Sequence, residues 1–145
     1  MGERHVYKTS VSWLEKRRGN LSAPGLPDLT VATPPEFPEG IPGIWSPEHL
    51  YVAAVEVCTM TTFLAIAANS KFEFISYSSE AEGILEQLET GYEITEITIR
   101  PTITVAAEAQ TDKAKRLIEK SERHCLISNS MKTKVHLDPV IVVKA

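Results

Sequence analysis

The stretch "SPEHLYVAAVEVC" occupies residues 46–58. Ser46 is the kind of residue that caps a helix, because its hydroxyl can accept a bond from an orphan N–H of the first turn. Pro47 suits the first helical position, where its missing N–H costs nothing. Glu48 falls in the first turn, where the helix dipole favours a negative charge. The sequence beyond stays apolar, so a helix is predicted to about Asn69. It is apolar on nearly every face, and such a helix has to be surrounded on all sides. One domain of 145 residues struggles to enclose it alone, which predicts a dimer. Cys58 sits on this helix, roughly 18 Å from its start.

Upstream, residues 5–14 carry Val6, Thr9, Val11 and Trp13 among polar neighbours and read as a strand. Residues 15–20, "EKRRGN", read as a turn in which Gly19 takes a positive φ. Residues 28–33 are a second short strand. Residues 24–47 hold seven of the nine prolines, so this is an irregular connection of the length that is often functional. Downstream, 72–89 and 92–106 are long β segments joined at Thr90 and Gly91, with Gly91 supplying the turn. Thr111 or Asp112 caps a second helix, amphipathic through Ala114, Leu117 and Ile118. Residues 125–131 form a further short helical turn, and 134–145 close the chain as a strand. The element order predicts an α+β class with antiparallel sheet in one domain spanning 1–145.

Hydrophobic residues make up 43% and the net charge is −4, with no basic run longer than Lys16–Arg18. That balance argues against a nucleic-acid partner. The apolar run 50–68 is about long enough to cross a bilayer. Glu56 at its centre and the lack of a flanking basic cluster favour a core helix instead. The charged first residues lack an apolar targeting segment, so a cytoplasmic protein is expected. Two cysteines are too few for a disulfide scaffold. They are packed thiols, metal ligands or a redox pair.

As a packed residue Cys58 behaves like a small hydrophobe. As a nucleophile it needs a lowered pKa. The helix dipole fades within the first turn and does not reach it, so a cation from elsewhere is required. Arg17 and Arg18 are the candidates, although a charged hairpin tip is ordinarily just solvated. Glu48 can hold an extended arginine through a bidentate pair. Cys125 is either another packed thiol or a resolving thiol that condenses with a sulfenic acid. The histidines, His5, His49, His124 and His136, offer a weak Cys–His alternative. Cys58, Cys125 and His124 lack the close spacing of a metal site.

The pair "SPEHLYVAAVEVC" and "SERHCLISNSM" (121–131), with the "W…RRG" hairpin and "DLTVATPPEF" (28–37), resembles the OsmC/Ohr family of osmotically inducible and organic hydroperoxide resistance proteins, nearer its OsmC branch. The resemblance covers essentially the whole chain. It implies an intertwined homodimer with antiparallel sheets wrapped around long central helices. It also implies a thiol peroxidase acting on organic hydroperoxides and hydrogen peroxide. Cys58 matches the peroxidatic cysteine, Cys125 the resolving cysteine, and Glu48 the partner of a hairpin arginine. That arginine is Arg17, or Arg18 if the hairpin is slipped by one. The reductant implied is a dithiol such as a lipoyl group; no metal or organic cofactor is implied. Two departures stand out. Leu126 replaces the proline common after the second cysteine, and Glu56 stands where small or apolar residues are usual. Some relatives lack an established peroxidase role, so a redox sensor without turnover, or a ligand-binding protein, is the alternative.

Overall fold

The computed structural model describes residues 2–145, in two compact units, one up to Leu50 and one from Tyr51 onward. In the first, β1 (Ser10–Glu15), β2 (Arg18–Ser22) and β3 (Leu29–Ala32) form an antiparallel sheet in the order β1-β2-β3. The predicted turn at 15–20 is shorter than expected. Arg18 already pairs with Glu15, so the tip is Lys16–Arg17, and it is Lys16 that takes positive φ, at 49°. Gly19 is a buried strand residue. A Cβ there would come within 3.1 Å of the Ser12 carbonyl oxygen, so its role is close approach and not a left-handed turn. The proline-rich connection folds back on this sheet: Ala32 N–H donates to Trp45 O at 2.9 Å and Ile41 N–H to Thr33 O at 2.9 Å.

Helix α1 (Pro47–Asn69) begins and ends where the sequence predicts. The Ser46 hydroxyl accepts the His49 N–H at 3.2 Å and lies 2.7 Å from His49 Nδ1. That is the cap the sequence foresees. The helix is not covered all round, however. Val55, Thr59, Phe63 and Ala67 form one buried stripe at a spacing of four, while Val57 is 53% and Leu64 41% exposed. By length and composition α1 is apolar enough to cross a bilayer, and 28% of its most apolar window is buried within the chain.

The second unit is built on β4 (Ser76–Leu88) and β5 (Gly91–Val105), a long antiparallel hairpin. Its loop residues are Glu89 and Thr90. Gly91 is the first strand residue and carries the positive φ, 124°, so the turn lies one residue earlier than the sequence suggests. Thr95 is an extra residue between the pairs Ile84–Glu96 and Leu85–Ile94, a bulge that bends β5. The predicted last strand is two, β6 (Lys134–Leu137) and β7 (Val140–Val143), and both run parallel to β5. The α+β class holds, with this mixed sheet as the added feature. Asp138 and Pro139 make the break, and Pro101 of β5 lies opposite it, where no ladder N–H is needed.

Helix α2 (Thr111–Arg123) follows a 3-10 turn, Glu108–Gln110, whose Gln110 Oε1 accepts the N–H groups of Ala106 and Ala107. Thr111 is thus the first helical residue and not the cap. Ala114, Leu117 and Ile118 face a core with Phe63, Ile103 and Val105. A second core joins Val55 of α1 to Ile97 and Ile99 of β5. Tyr51 Oη lies 2.6 Å from Thr133 Oγ1, which donates to Ile94 O at 2.8 Å. This short polar chain ties the N-terminal part of α1 to the start of β5.

Candidate active site

Cys58 sits half-buried on α1, one residue before the buried Thr59. Cys125 is fully buried in the turn after α2, and both thiols are free. Each thiol is among the groups that shift the acidity of the other. Burial alone would raise the Cys58 thiol, but the donors around it more than offset that. They are the main-chain N–H of Ile127, the Cys125 thiol, the Thr62 hydroxyl at 3.8 Å and the main-chain N–H of Leu126. Its pKa is therefore lowered. Cys125 moves the opposite way. Burial raises it, and its neighbour Cys58 adds to this; the Ser128 N–H, 3.5 Å from its sulfur, offsets only part.

The pair is thus differentiated: Cys58 gives up its proton first and Cys125 retains one to donate. This is what a nucleophile and a resolving thiol need. The sequence pointed to a cation as the means of lowering Cys58. The donors found here are instead N–H, O–H and S–H groups from residue 62 and residues 125–127. Thr62 was legible in principle, because a hydroxyl four residues on shares the face of Cys58. The amides of Leu126 and Ile127 carry no side-chain signal at all.

Arg17 and Arg18 both line a hollow of about 410 Å³ with Trp13, Gly19 and Pro47. Arg17 donates to Glu39 at 2.7 Å, and Glu39 itself holds a positive φ of 63°. Arg18 is the less exposed of the two; one terminal nitrogen lies 3.4 Å from Glu15, and its buried Nε has no partner among the described residues. Oε1 of Glu48 is likewise buried and unpartnered. Among the described residues no ion pair joins Glu48 to either arginine.

Glu56 accepts the Ser79 hydroxyl at 2.6 Å. It lies close enough to Tyr77 to add to the effect of burial, and the phenol is pushed up to about 12. The buried Tyr77 hydroxyl has no hydrogen-bond partner among the described residues. His49 caps with Ser46, His136 lies 2.7 Å from Glu96, and His5 lies 3.0 Å from Glu3. Among the described residues no three His, Cys, Asp or Glu side chains are grouped so as to hold a metal ion.

The family model described as OsmC-like protein matches residues 40–139, which span α1, both cysteines and most of the second unit. No curated protein sequence matches the chain significantly. Among solved structures the chain is similar to an OsmC-like protein of unknown function from Vibrio cholerae, with a TM-score of 0.83 and 23% identity over 94% of this chain and 100% of the other. It is similar to an organic hydroperoxide resistance protein from Elizabethkingia anophelis, with a TM-score of 0.78 and 18% identity over 99% and 100%. A hydroperoxide resistance protein from Legionella pneumophila matches with a TM-score of 0.75 and 24% identity over 97% and 100%. At these identities the likeness is one of fold.

Proposed function

Because the chain belongs to the OsmC-like family, we propose that it is a cytoplasmic, homodimeric thiol peroxidase that reduces organic hydroperoxides, and hydrogen peroxide, to alcohols and water. One observation carries this reading: two free, neighbouring thiols whose acidities are pushed apart, Cys58 down and Cys125 up. Solved relatives named as organic hydroperoxide resistance proteins support the peroxide-related role.

The Cys58 thiolate attacks one peroxide oxygen and the O–O bond breaks. Cys58 is oxidised to the sulfenic acid, and the alkoxide leaves and takes a proton to become the alcohol. Cys125 then attacks the sulfenic sulfur, expelling water and forming the Cys58–Cys125 disulfide. An external dithiol, such as a lipoyl group, reduces that disulfide and is itself oxidised. Arg17 stabilises the developing charge on the leaving oxygen, and Glu48 holds the arginine, with Arg18 as the alternative in that role. The unpartnered Arg18 Nε and Glu48 Oε1 are polar atoms still open to such a pairing.

The test is intact mass after one equivalent of cumene hydroperoxide. Wild type loses two mass units and shows a Cys58–Cys125 crosslink on peptide mapping. Cys125→Ser gains sixteen on Cys58, and Cys58→Ser is unchanged. Unaltered masses in wild type would defeat the proposal. A crosslink without steady-state consumption of peroxide by dithiothreitol would favour a redox sensor.

A further inference from the structure

Cys125 has a partner at every polar atom it carries. Its N–H donates to Glu122 O at 3.2 Å. Its carbonyl oxygen accepts the Asn129 N–H at 3.0 Å and the Ser128 hydroxyl at 3.2 Å. Its sulfur accepts the Ser128 N–H at 3.5 Å. Ser128 therefore grips the cysteine twice, at the sulfur and at the carbonyl, from three residues further along the same turn. Ser128 is half-buried, and the cysteine it holds is fully buried. The Ser130 hydroxyl acts elsewhere in the turn, donating to Leu126 O at 2.7 Å. Asn129 Nδ2 donates to Arg123 O at 3.2 Å and anchors the turn to the end of α2.

We propose that Ser128 is the positioning residue of the resolving thiol: its two bonds hold Cys125 in one orientation, so that attack on the oxidised Cys58 outruns a second oxidation of Cys58. The inference rests on the reading of Cys58 as the peroxidatic thiol and Cys125 as the resolving one. The sulfenic acid on Cys58 has two fates. In one, Cys125 attacks its sulfur, expels water and closes the disulfide. In the other, a second hydroperoxide transfers an oxygen atom to that sulfur and leaves as the alcohol, and Cys58 ends as a sulfinic acid that dithiols do not recover. Only the first fate depends on how Cys125 is aimed, because an attack within one chain draws its speed from orientation fixed beforehand. A thiol has three staggered χ1 wells to choose from, and the Ser128 N–H selects one of them. The hydroxyl bond holds the backbone from which that sulfur projects. In this orientation the two thiols are near enough to shift each other's acidity. The N–H has a second use. A donor on the sulfur favours the thiolate that must attack, and it counters part of the upward push that burial gives Cys125.

The test is the ratio of sulfinic acid to disulfide at Cys58, read by peptide mass after treatment with a range of cumene hydroperoxide concentrations. That ratio does not depend on how fast Cys58 is first oxidised, so it reports the resolving step alone. Ser128→Ala removes the hydroxyl, Ser128→Thr keeps one, and Ser130→Ala removes the hydroxyl that holds Leu126 in the same turn. Ser128→Ala should raise the ratio by about threefold or more at each concentration, the effect expected of one lost hydrogen bond. Ser128→Thr should restore the wild-type ratio, and Ser130→Ala should leave it where it is. Should circular dichroism show Ser128→Ala unfolded, Ser128→Val set against Ser128→Thr makes the same comparison at nearly constant shape. An unmoved ratio on loss of the Ser128 hydroxyl would overturn the proposal. So would an equal rise in Ser130→Ala, since any loosening of the turn would then suffice. The peroxidase reading is tested apart, by wild type at one equivalent of peroxide. Absence of the disulfide there sinks that reading, whereas a wild-type disulfide with an unmoved Ser128→Ala ratio sinks this proposal alone.

Discussion

The division of labour between the two thiols sets the pH profile. Cys58 is nucleophilic only as thiolate. The observed rate of oxidation by peroxide should therefore rise with pH through its lowered ionisation and level off above it. Below that ionisation it should fall about tenfold per pH unit. Stopped-flow oxidation across pH 4–9 checks this; a profile still rising at pH 9 would mean that the donors are not acting on the thiol. The two arginines separate in the same assay. Arg17→Ala should slow oxidation by about a hundredfold if it holds the leaving oxygen. If only Arg18→Ala does so, the half-buried neighbour has the role. Tyr77 offers a different check. Its hydroxyl is buried and unpartnered, so Tyr77→Phe should leave urea stability unchanged or raise it by about 1 kcal/mol. A loss larger than that would mean that a partner for the hydroxyl exists in solution.

Among the elements, α1 comes close to β4 at Gly83. A Cβ there would stand 2.6 Å from Val52 Cγ2, and a β-branched side chain has few ways to yield. Gly83→Ala should cost about 1–3 kcal/mol, and Val52→Ala in the same chain should recover part of it, as a double-mutant cycle in urea would show. Helix α1 was legible because Ser46, Pro47 and Glu48 mark its start and one apolar run fills it. The β4–β5 hairpin was legible from its alternation. What misled was polar sequence serving as strand. "EKRRGN" carries the residues of a turn, yet Arg18 and Gly19 belong to β2, and the glycine is there for room. Asp138 and Pro139 split the last strand by removing a donor at the point where β5 offers Pro101, a coincidence visible only in register. At the site the two cysteines could be singled out by their contexts. The amides of the 125–130 turn could not, since every residue carries one and only the fold aims it.

For the molecule as a whole, the exposed side of α1 is the feature still without a neighbour. Val57 and Leu64 open a long apolar face on the element that carries Cys58, and a second copy of the chain is what we expect to cover it. Sedimentation velocity should show a dimer, and Leu64→Glu should weaken it by tenfold or more, since a buried charge without a partner is costly. Thermal midpoints should then rise with protein concentration, as they do whenever only the folded state is bound. Strand β1 carries the same logic into the life of the newly made chain. All six of its residues are exposed, it is the outer strand of its sheet, and Val11, Trp13 and Leu14 lie along it without a lysine or proline to blunt the row. An open edge of that kind templates stray strands as readily as correct ones. Synthesis at low copy number therefore becomes a race between finding a sister chain and clumping, and Val11→Lys should raise the soluble fraction of Leu64→Glu on expression.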